Sequence, residues 1–325
     1  MKVSIGIIAL NEEKCLPDIL DDIISQTYPH SMTEILLVDS GSIDNTKSIM
    51  MDFFDKYRRE FLRIKVLDNP GKKQANGWNV VLRNSSGDAI IRIDAHAHIP
   101  IDFVSKNIER LEKGEYVCGG RRPSIAEEDT LSAKLLLAAE SAVFGSGISS
   151  FRNSEKSGYV KSIFHGAYRR EVFDKVGFFD ERLGRTEDND IHQRIRAAGY
   201  KIFMDKDIVS YQYVRPTLSK MLKQKFMNGY WIGRTLYVNS SCVSWYYFVP
   251  LAFVLALIVA VVCLINEEYL IPILLMISYG AVMLISSWGA MKQYDGDFRF
   301  SAVAIICFLM HICYGAGTIK GLLKL

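Results

Sequence analysis

The chain has no C-x-x-C pair, no large excess of either charge, and no repeat or low-complexity tract. Its six cysteines, Cys15, Cys118, Cys242, Cys263, Cys307 and Cys313, have the spacing of neither a disulfide framework nor a zinc site. Three of them lie in the apolar C-terminal region, where a thiol is an ordinary small apolar side chain. A soluble part in a reducing compartment is expected. A net charge of +3, from 39 basic and 36 acidic residues, argues against a nucleic-acid partner. Met1 to Leu10 is apolar but short, and Asn11-Glu12-Glu13-Lys14 follows at once, so it reads as a buried strand and not as a signal peptide.

Charge is also scarce in one region. From Trp245 onward there are four basic residues (Lys292, Arg299, Lys320, Lys324) and four acidic ones (Glu267, Glu268, Asp295, Asp297), leaving 35 basic and 32 acidic residues to the preceding part. A charged soluble part is therefore followed by a lipid-compatible one. Tyr246 to Ile265 and Leu270 to Trp288 have the length of spanning helices, about 20 residues. Phe300 to about Leu323 is a third apolar stretch, with His311 inside and Lys320 near its end. If the soluble part is cytoplasmic, the basic second connection is cytoplasmic too, as basic loops prefer, but three spans would put the basic C-terminus outside. The third stretch stays open as a span, a re-entrant segment or an interfacial helix. Upstream, Leu218, Met221, Leu222, Phe226, Tyr230, Ile232 and Leu236 recur at roughly helical spacing, with Lys220, Lys223, Lys225 and Arg234 on the other face. Such a helix is expected to lie on a membrane surface, with a core-facing helix as the lesser alternative.

In the soluble part, strands and helices alternate. Val3–Ala9, Glu34–Val38, Arg63–Leu67 and the apolar run up to Asp94 read as strands, and Glu12–Gln26, Asp44–Arg59 and Lys73–Asn84 as helices. Beyond them, helices are expected over 102–113, 130–144, 170–176 and 187–198, strands over 116–119, 163–167 and 200–204, and a loop over Gly145–Gly158. The first seven elements have the order of an open parallel sheet, whose ligands bind at the carboxyl ends of the strands. Asn11, Asp39 and Asp94 sit at such ends. In Ile90 to His98 (I-I-R-I-D-A-H-A-H) an apolar strand runs into Asp94, with His96 two residues on and so on the same face. A carboxylate beside a neutral imidazole suits a divalent metal; the triplet alone reads equally well as a turn cap beside a surface histidine.

Several short motifs stand in order. Asn11-Glu12 follows the first strand, and Asp39-Ser40-Gly41-Ser42-Ile43-Asp44 the second. Asn79 precedes Gly87-Asp88 and Asp94-Ala95-His96, and Gly177-Phe178-Phe179-Asp180-Glu181 leads to Glu187-Asp188 and Arg194. From Val3 to Tyr237 this order resembles the family 2 glycosyltransferases, inverting enzymes of the GT-A fold that use nucleotide sugars. It looks closest to membrane-attached bacterial exopolysaccharide glycosyltransferases of the succinoglycan type, where D-A-H-A, F-G-S-G and H-G-A-Y-R-R-E-V-F are similar. The resemblance implies an α/β GT-A domain over 1–216, with a mostly parallel mixed sheet flanked by helices. An amphipathic interfacial helix over 217–240 and two to three membrane helices over 245–325 would follow.

It also implies roles. Ala9, Asn11, Glu12, Asp39, Ser42, Lys73, Asn79 and Asp94 become candidates to hold the nucleotide sugar. Asp94 and His96 become the metal ligands for manganese or magnesium, His96 standing where the family usually has a second aspartate. Asp188, at a helix start that favours an ionised carboxylate, becomes the base, supported by Glu187 and Arg194. His165 and the Gly145–Arg152 loop would shape the acceptor site. His98 reads as a secondary or exposed residue, and His192 as exposed. The implied activity is transfer of a hexose, most simply from a UDP-sugar, to a lipid-linked glycan at the cytoplasmic face of a bacterial membrane. A polyprenyl-phosphate acceptor and a non-catalytic nucleotide-sugar-binding subunit are the rival readings.

Overall fold

The structure, a computed structural model, describes residues 1–142 and 155–324. They form two compact units: 1–123 with 155–212, and 124–142 with 213–324.

In the first unit a βα alternation builds one edge of a sheet. Strands β1 (Val3–Ala9), β2 (Thr33–Asp39), β3 (Arg63–Asp68) and β4 (Ala89–Asp94) are parallel and adjacent, in the order β3-β2-β1-β4. They alternate with helices α1 (Leu16–Ile24), α2 (Thr46–Tyr57) and α3 (Gln74–Asn84). The short strand β5 (Ala97–His98) and α4 (Phe103–Glu112) follow. The sheet then turns mixed. Its second half continues β9-β6-β10-β8, from β6 (Val117–Arg121), β8 (Gly158–Val160), β9 (Ala167–Arg169) and β10 (Ile202–Val209). Here β9 runs antiparallel to both β4 and β6, while β6 and β10 are parallel. Helices α6 (Arg170–Val176) and α7 (Glu187–Ala197) end at Gly177 and Gly199, whose φ angles of 77° and 91° favour glycine.

Both faces of the central strands are covered, so they read as continuous apolar runs. Ile5, Ile7, Ile35 and Ile91 pack with α1 and α4 on one face; Leu36, Val38 and Ile90 pack with Trp78, Val81 and Ile191 on the other. Gly6 permits the second contact, because a Cβ there would sit 2.6 Å from Val81. The register aligns the strand ends: Ala9 pairs with Asp39, Ile8 with Asp94, and Asp39 with Asp68. Asp39 and Asp94 thus flank the end of β1, as their strand-end positions implied.

Some boundaries differ from those expected. The strand expected over 163–167 starts at Ala167, because His165 takes φ 42° and breaks the extended chain. Helix α2 starts at Thr46, where Asp44 Oδ1 accepts the Thr46 N–H at 3.0 Å. Of the F-G-S-G motif and the 145–158 loop, residues 144–154 lie outside the described residues.

The second unit holds β7 (Ser124–Ile125), whose Ile125 carbonyl accepts the Val214 N–H at 2.9 Å. It also holds α5 (Leu131–Ser141), α8 (Leu218–Thr235), α9 (Val249–Ile265), α10 (Leu270–Gln293) and α11 (Val303–Leu322). Residues 124–142, assigned from sequence to the soluble domain, group here because α5 packs through Leu136 and Ala139 on Met221, Val303 and Cys307. Strand β11 (Tyr211–Tyr213) pairs antiparallel with β5 at Tyr211–His98 and Gln212–Ala97.

Helices α8 and α11 meet through glycines. A Cβ on Gly317 would come within 2.0 Å of the Phe226 carbonyl oxygen, and one on Gly321 within 2.1 Å of that of Tyr230. Gly317→Leu must push the two backbones apart, at a cost of about 1–3 kcal/mol or more. The expected result is a lower unfolding temperature in detergent; an unchanged one would mean that the two helices do not touch there.

Candidate active site

The loops after β1 and β2 are clasped together. Asn11, at φ 56°, accepts the Ile43 N–H on Oδ1 at 2.9 Å and donates its own N–H to Ser42 Oγ at 3.0 Å. The Glu12 N–H donates to Thr46 Oγ1 at 2.8 Å. The buried Asp39 carboxylate accepts the Gly41 and Ser42 N–H groups at 3.2 and 3.1 Å, and the Ala9 carbonyl accepts the Ser40 N–H at 2.9 Å. Asp39 therefore shapes its loop. A carboxylate has about four acceptor sites, so capacity remains for a ligand.

At the end of β4, Asp94 lies in a positive setting. His165 Nε2 is 3.2 Å from Asp94 Oδ2, and His165 Nδ1 is 2.8 Å from Ser210 Oγ. Burial raises the Asp94 pKa, but the His165 contact and the charges of His165, His96 and Arg122 outweigh it and hold the carboxyl well below its usual range. Burial pushes the His165 imidazole down, against the pull of Asp94. Arg122 is itself buried and stacks on Phe164, 3.6 Å from the ring centre. His96 Nε2 faces the Gln212 amide nitrogen at 3.2 Å and His96 Nδ1 faces Glu12 Oε1 at 3.2 Å. An amide nitrogen only donates, so Nδ1 carries the proton toward Glu12 and Nε2 keeps its lone pair. His98 is held by Asp22, at 2.6 Å from Nδ1, and stacks on Tyr211; it is structural.

Asp94 and His96 fit a divalent cation in one specific way. No three His, Cys, Asp or Glu side chains gather as a complete metal cage among the described residues. Two protein ligands are sufficient where substrate phosphates and water fill the other positions, as is usual for magnesium. With Glu12 behind its Nδ1 as outer partner, His96 would turn its Nε2 lone pair to the cation in place of the Gln212 contact.

The other half of the site is built on Arg92, a residue the sequence reading passed over. Arg92 shares a face of β4 with Asp94, and its guanidinium donates to Asp188 Oδ1 at the start of α7. It lies between Trp78 and Phe179, 4.3 and 4.9 Å from the ring centres. Burial lowers its pKa, but Asp188, Tyr168 and Glu187 raise it further, so it remains a cation. Behind it, Tyr168 bonds Arg92 and meets His192 Nε2 at 2.8 Å, and His192 Nδ1 meets Ser162 Oγ at 2.8 Å. His192 is thus fully buried, not exposed as its polar helix suggested, and burial lowers its pKa to about 4. The Glu187 carboxyl is pushed well above its usual range, first by burial and then by Asp188, with Arg92 opposing. That shift favours its protonated form near neutral pH. Asp94 adds to that upward pressure, so the two halves of the site are within electrostatic reach.

Three candidates hold the loop leading to Asp188. Asn79 is buried; its Oδ1 accepts the Phe179 N–H at 2.9 Å, and its Nδ2 donates to the Phe179 carbonyl and Glu181 Oε1, both at 2.9 Å. Its amide holds the loop in this structure. Lys73 Nζ donates to the Glu181 carbonyl at 3.1 Å. Arg194 donates to the Val176 and Phe178 carbonyls at 2.6 and 2.8 Å and pairs with Asp190.

Residues 4–177 match the glycosyl transferase family 2. The chain belongs to that family. Two relatives match this family 2 glycosyltransferase along nearly its whole length. A Methanococcus voltae protein described as dolichyl N-acetyl-alpha-D-glucosaminyl phosphate 3-beta-D-2,3-diacetamido-2,3-dideoxy-beta-D-glucuronosyltransferase is 27% identical, covering 99% of this chain and 97% of its own. The succinoglycan biosynthesis protein ExoA of Rhizobium meliloti is 25% identical, over 97% and 93%. Among solved structures, the mannosyltransferase PcManGT of Pyrobaculum calidifontis, in complex with GDP-Man and Mn2+, matches with a TM-score of 0.59. It covers 99% of this chain and 87% of its own at 18% identity, which supports the GT-A-like fold expected from the sequence. The succinoglycan-type resemblance is likewise met by ExoA, and the chain is a glycosyltransferase.

Proposed function

We propose that this enzyme is an inverting, metal-dependent glycosyltransferase. It moves a hexose from a nucleotide sugar, with UDP as the first nucleotide to test, to a lipid-linked glycan at the cytoplasmic face of a membrane. The observation that carries this reading is the ion pair between Arg92 and Asp188. It fixes a carboxylate at the start of α7 to the strand that ends in Asp94.

In this reading Asp39, Asn11 and Ser42 receive the nucleotide, and Asp94 and His96 would hold a divalent cation. A bound divalent cation supplies Lewis-acid stabilisation to the leaving group. Asp188 accepts the proton of the acceptor hydroxyl as its oxygen bonds to the anomeric carbon. The bond from that carbon to the diphosphate oxygen breaks on the opposite face, and the electron pair leaves with the nucleoside diphosphate. Arg92 keeps Asp188 oriented. The name of the Methanococcus relative, with its dolichyl-linked acceptor, supports a lipid-borne acceptor. The three helices long and apolar enough to cross a membrane support a site beside the bilayer.

Nucleotide release from a panel of UDP- and GDP-sugars, with membrane lipid extract as acceptor source, tests the reading. EDTA is expected to abolish turnover and manganese or magnesium to restore it. His96→Ala is expected to lower turnover by at least about tenfold, as losses around metal sites do. Full activity in EDTA would remove the metal from the mechanism.

A further inference from the structure

Trp245–Ile265, Leu270–Gln293 and Phe298–Leu322 are all long and apolar enough to cross a bilayer. They do not have the same surroundings. The most apolar windows of the first two are 11% buried, and that of the third is 39% buried.

Along α9 and α10, burial is confined to Phe253 and Ala260, and to Ser286, Ser287 and Ala290. The stretch flanking the turn at Asn266-Glu267-Glu268, residues 261–278, holds no buried residue. Leu255, Ile258, Val262 and Ile265 on one helix, and Leu270, Leu274 and Ile277 on the other, are all exposed. This apolar hairpin is bare toward its turn, while nearer its base Phe253 and Tyr279 meet Phe308 and His311 of α11. At 1.5 Å per residue its shorter arm is about 26 Å long, close to the thickness of a hydrocarbon core.

Helix α11 is clad along its whole length. Its first half, Val303 to Met310, packs on α5, on the end of α10 and on Met221 of α8, and its middle meets the base of the hairpin, His311 against Tyr279 and Gly315 against Pro250. Its second half runs beside α8 in the same direction, Gly317 meeting Phe226 and Gly321 meeting Tyr230 and Arg234. The neighbours on α5 and α8 are charged. Lys220 and Lys223 on α8 are exposed, and Arg234 lies near its end. Lys225 pairs with Glu140 of α5 at 2.7 Å, close enough to Cys307 for both charges to act on its thiol. If α11 stood across the bilayer, α5 and α8 would stand there with it. Each basic group at mid-bilayer costs about 2.5–3.5 kcal/mol even on insertion scales. A short apolar helix gains too little to carry several of them.

We infer that α11 is not a membrane span. It and α8 form a pair lying in the headgroup layer, and the chain crosses the membrane twice, as the α9–α10 hairpin. The partner of the α8–α11 pair is the lipid surface on the side of the soluble part. Exposed Lys220, Lys223, Lys320 and Lys324 face headgroups, while exposed Ile305 and Phe308 reach the acyl boundary. The conflict in the charge distribution then disappears. Lys320 and Lys324 return to the face that carries Lys292 and Arg299, as basic segments prefer. Only the naming of that face as cytoplasmic rests on the proposed activity.

The test needs no turnover, so it separates this inference from the glycosyltransferase mechanism. Three versions of the full chain carry a short epitope before Met1, in the Glu267–Glu268 turn, or after Leu325. Each is treated with protease in right-side-out and inverted membrane vesicles. The C-terminal epitope is expected to be lost together with the N-terminal one and to survive where the turn epitope is lost. A C-terminal epitope that follows the turn epitope would restore the third span. A turn epitope that follows the N-terminal one would show that the hairpin does not cross. Either result overturns the inference.

Discussion

Asp188→Asn is expected to lower kcat for transfer by about 10²–10⁴-fold, the range for removing a positioned general base. Donor affinity should change little. The substitution keeps the size of the side chain and an oxygen that can accept from Arg92, so α7 and the Glu181 loop should keep their positions. What it removes is the ability to take a proton. Glu187→Gln is the control. Burial and the neighbouring Asp188 favour the protonated form of that carboxyl, which an amide resembles, so the rate should fall much less. Turnover and donor binding measured on both variants decide between them. If Asp188→Asn retains most of its rate while Glu187→Gln loses it, the base is the wrong member of the pair.

The parts of the site that could be read from the sequence are those that local rules determine. A carboxylate after an apolar run marks a strand end, and parallel pairing then brings Asp39 and Asp94 to the two sides of β1. The parts that could not be read depend on long-range contacts. Asn79 sits in the ordered motif set, and nothing local in the sequence shows that its amide bonds Phe179 and Glu181, a hundred residues away. His192 looked exposed because its helix is polar. Its actual surroundings are Tyr168 and Ser162, which only the packing of α7 on the sheet brings to it. The strand expected through Ile163 failed at His165, where a left-handed backbone is needed to aim the ring at Ser210 and Asp94. One signal was present and went unused. A lone arginine inside I-I-R-I-D must either leave the core or find an anion there. Arg92 finds Asp188.

That arginine gives the second large effect. Arg92→Met should destabilise the first unit by about 3–5 kcal/mol, as breaking a buried pair from one side does. The side chain of Arg92 is 7% exposed and that of Asp188 18%, so water cannot simply take over the lost partner. Arg92→Lys should recover only part of the loss, because an ammonium cannot fill the flat slot between Trp78 and Phe179 while reaching the carboxylate. A structural role alone would predict a falling yield of folded enzyme with normal kcat per folded molecule. Orientation of the base predicts instead that kcat falls in the folded fraction while KM for the donor holds. The double variant separates the two accounts further. Arg92→Met with Asp188→Asn should unfold at a higher temperature than Arg92→Met alone, since no charge is left buried without its partner. It should also be no slower than Asp188→Asn alone, because a residue that acts through the base has nothing to orient once the base is gone. Independent, multiplying losses of rate would show that Arg92 acts on the substrate directly, and Asp188 would then need another explanation for its place beside it.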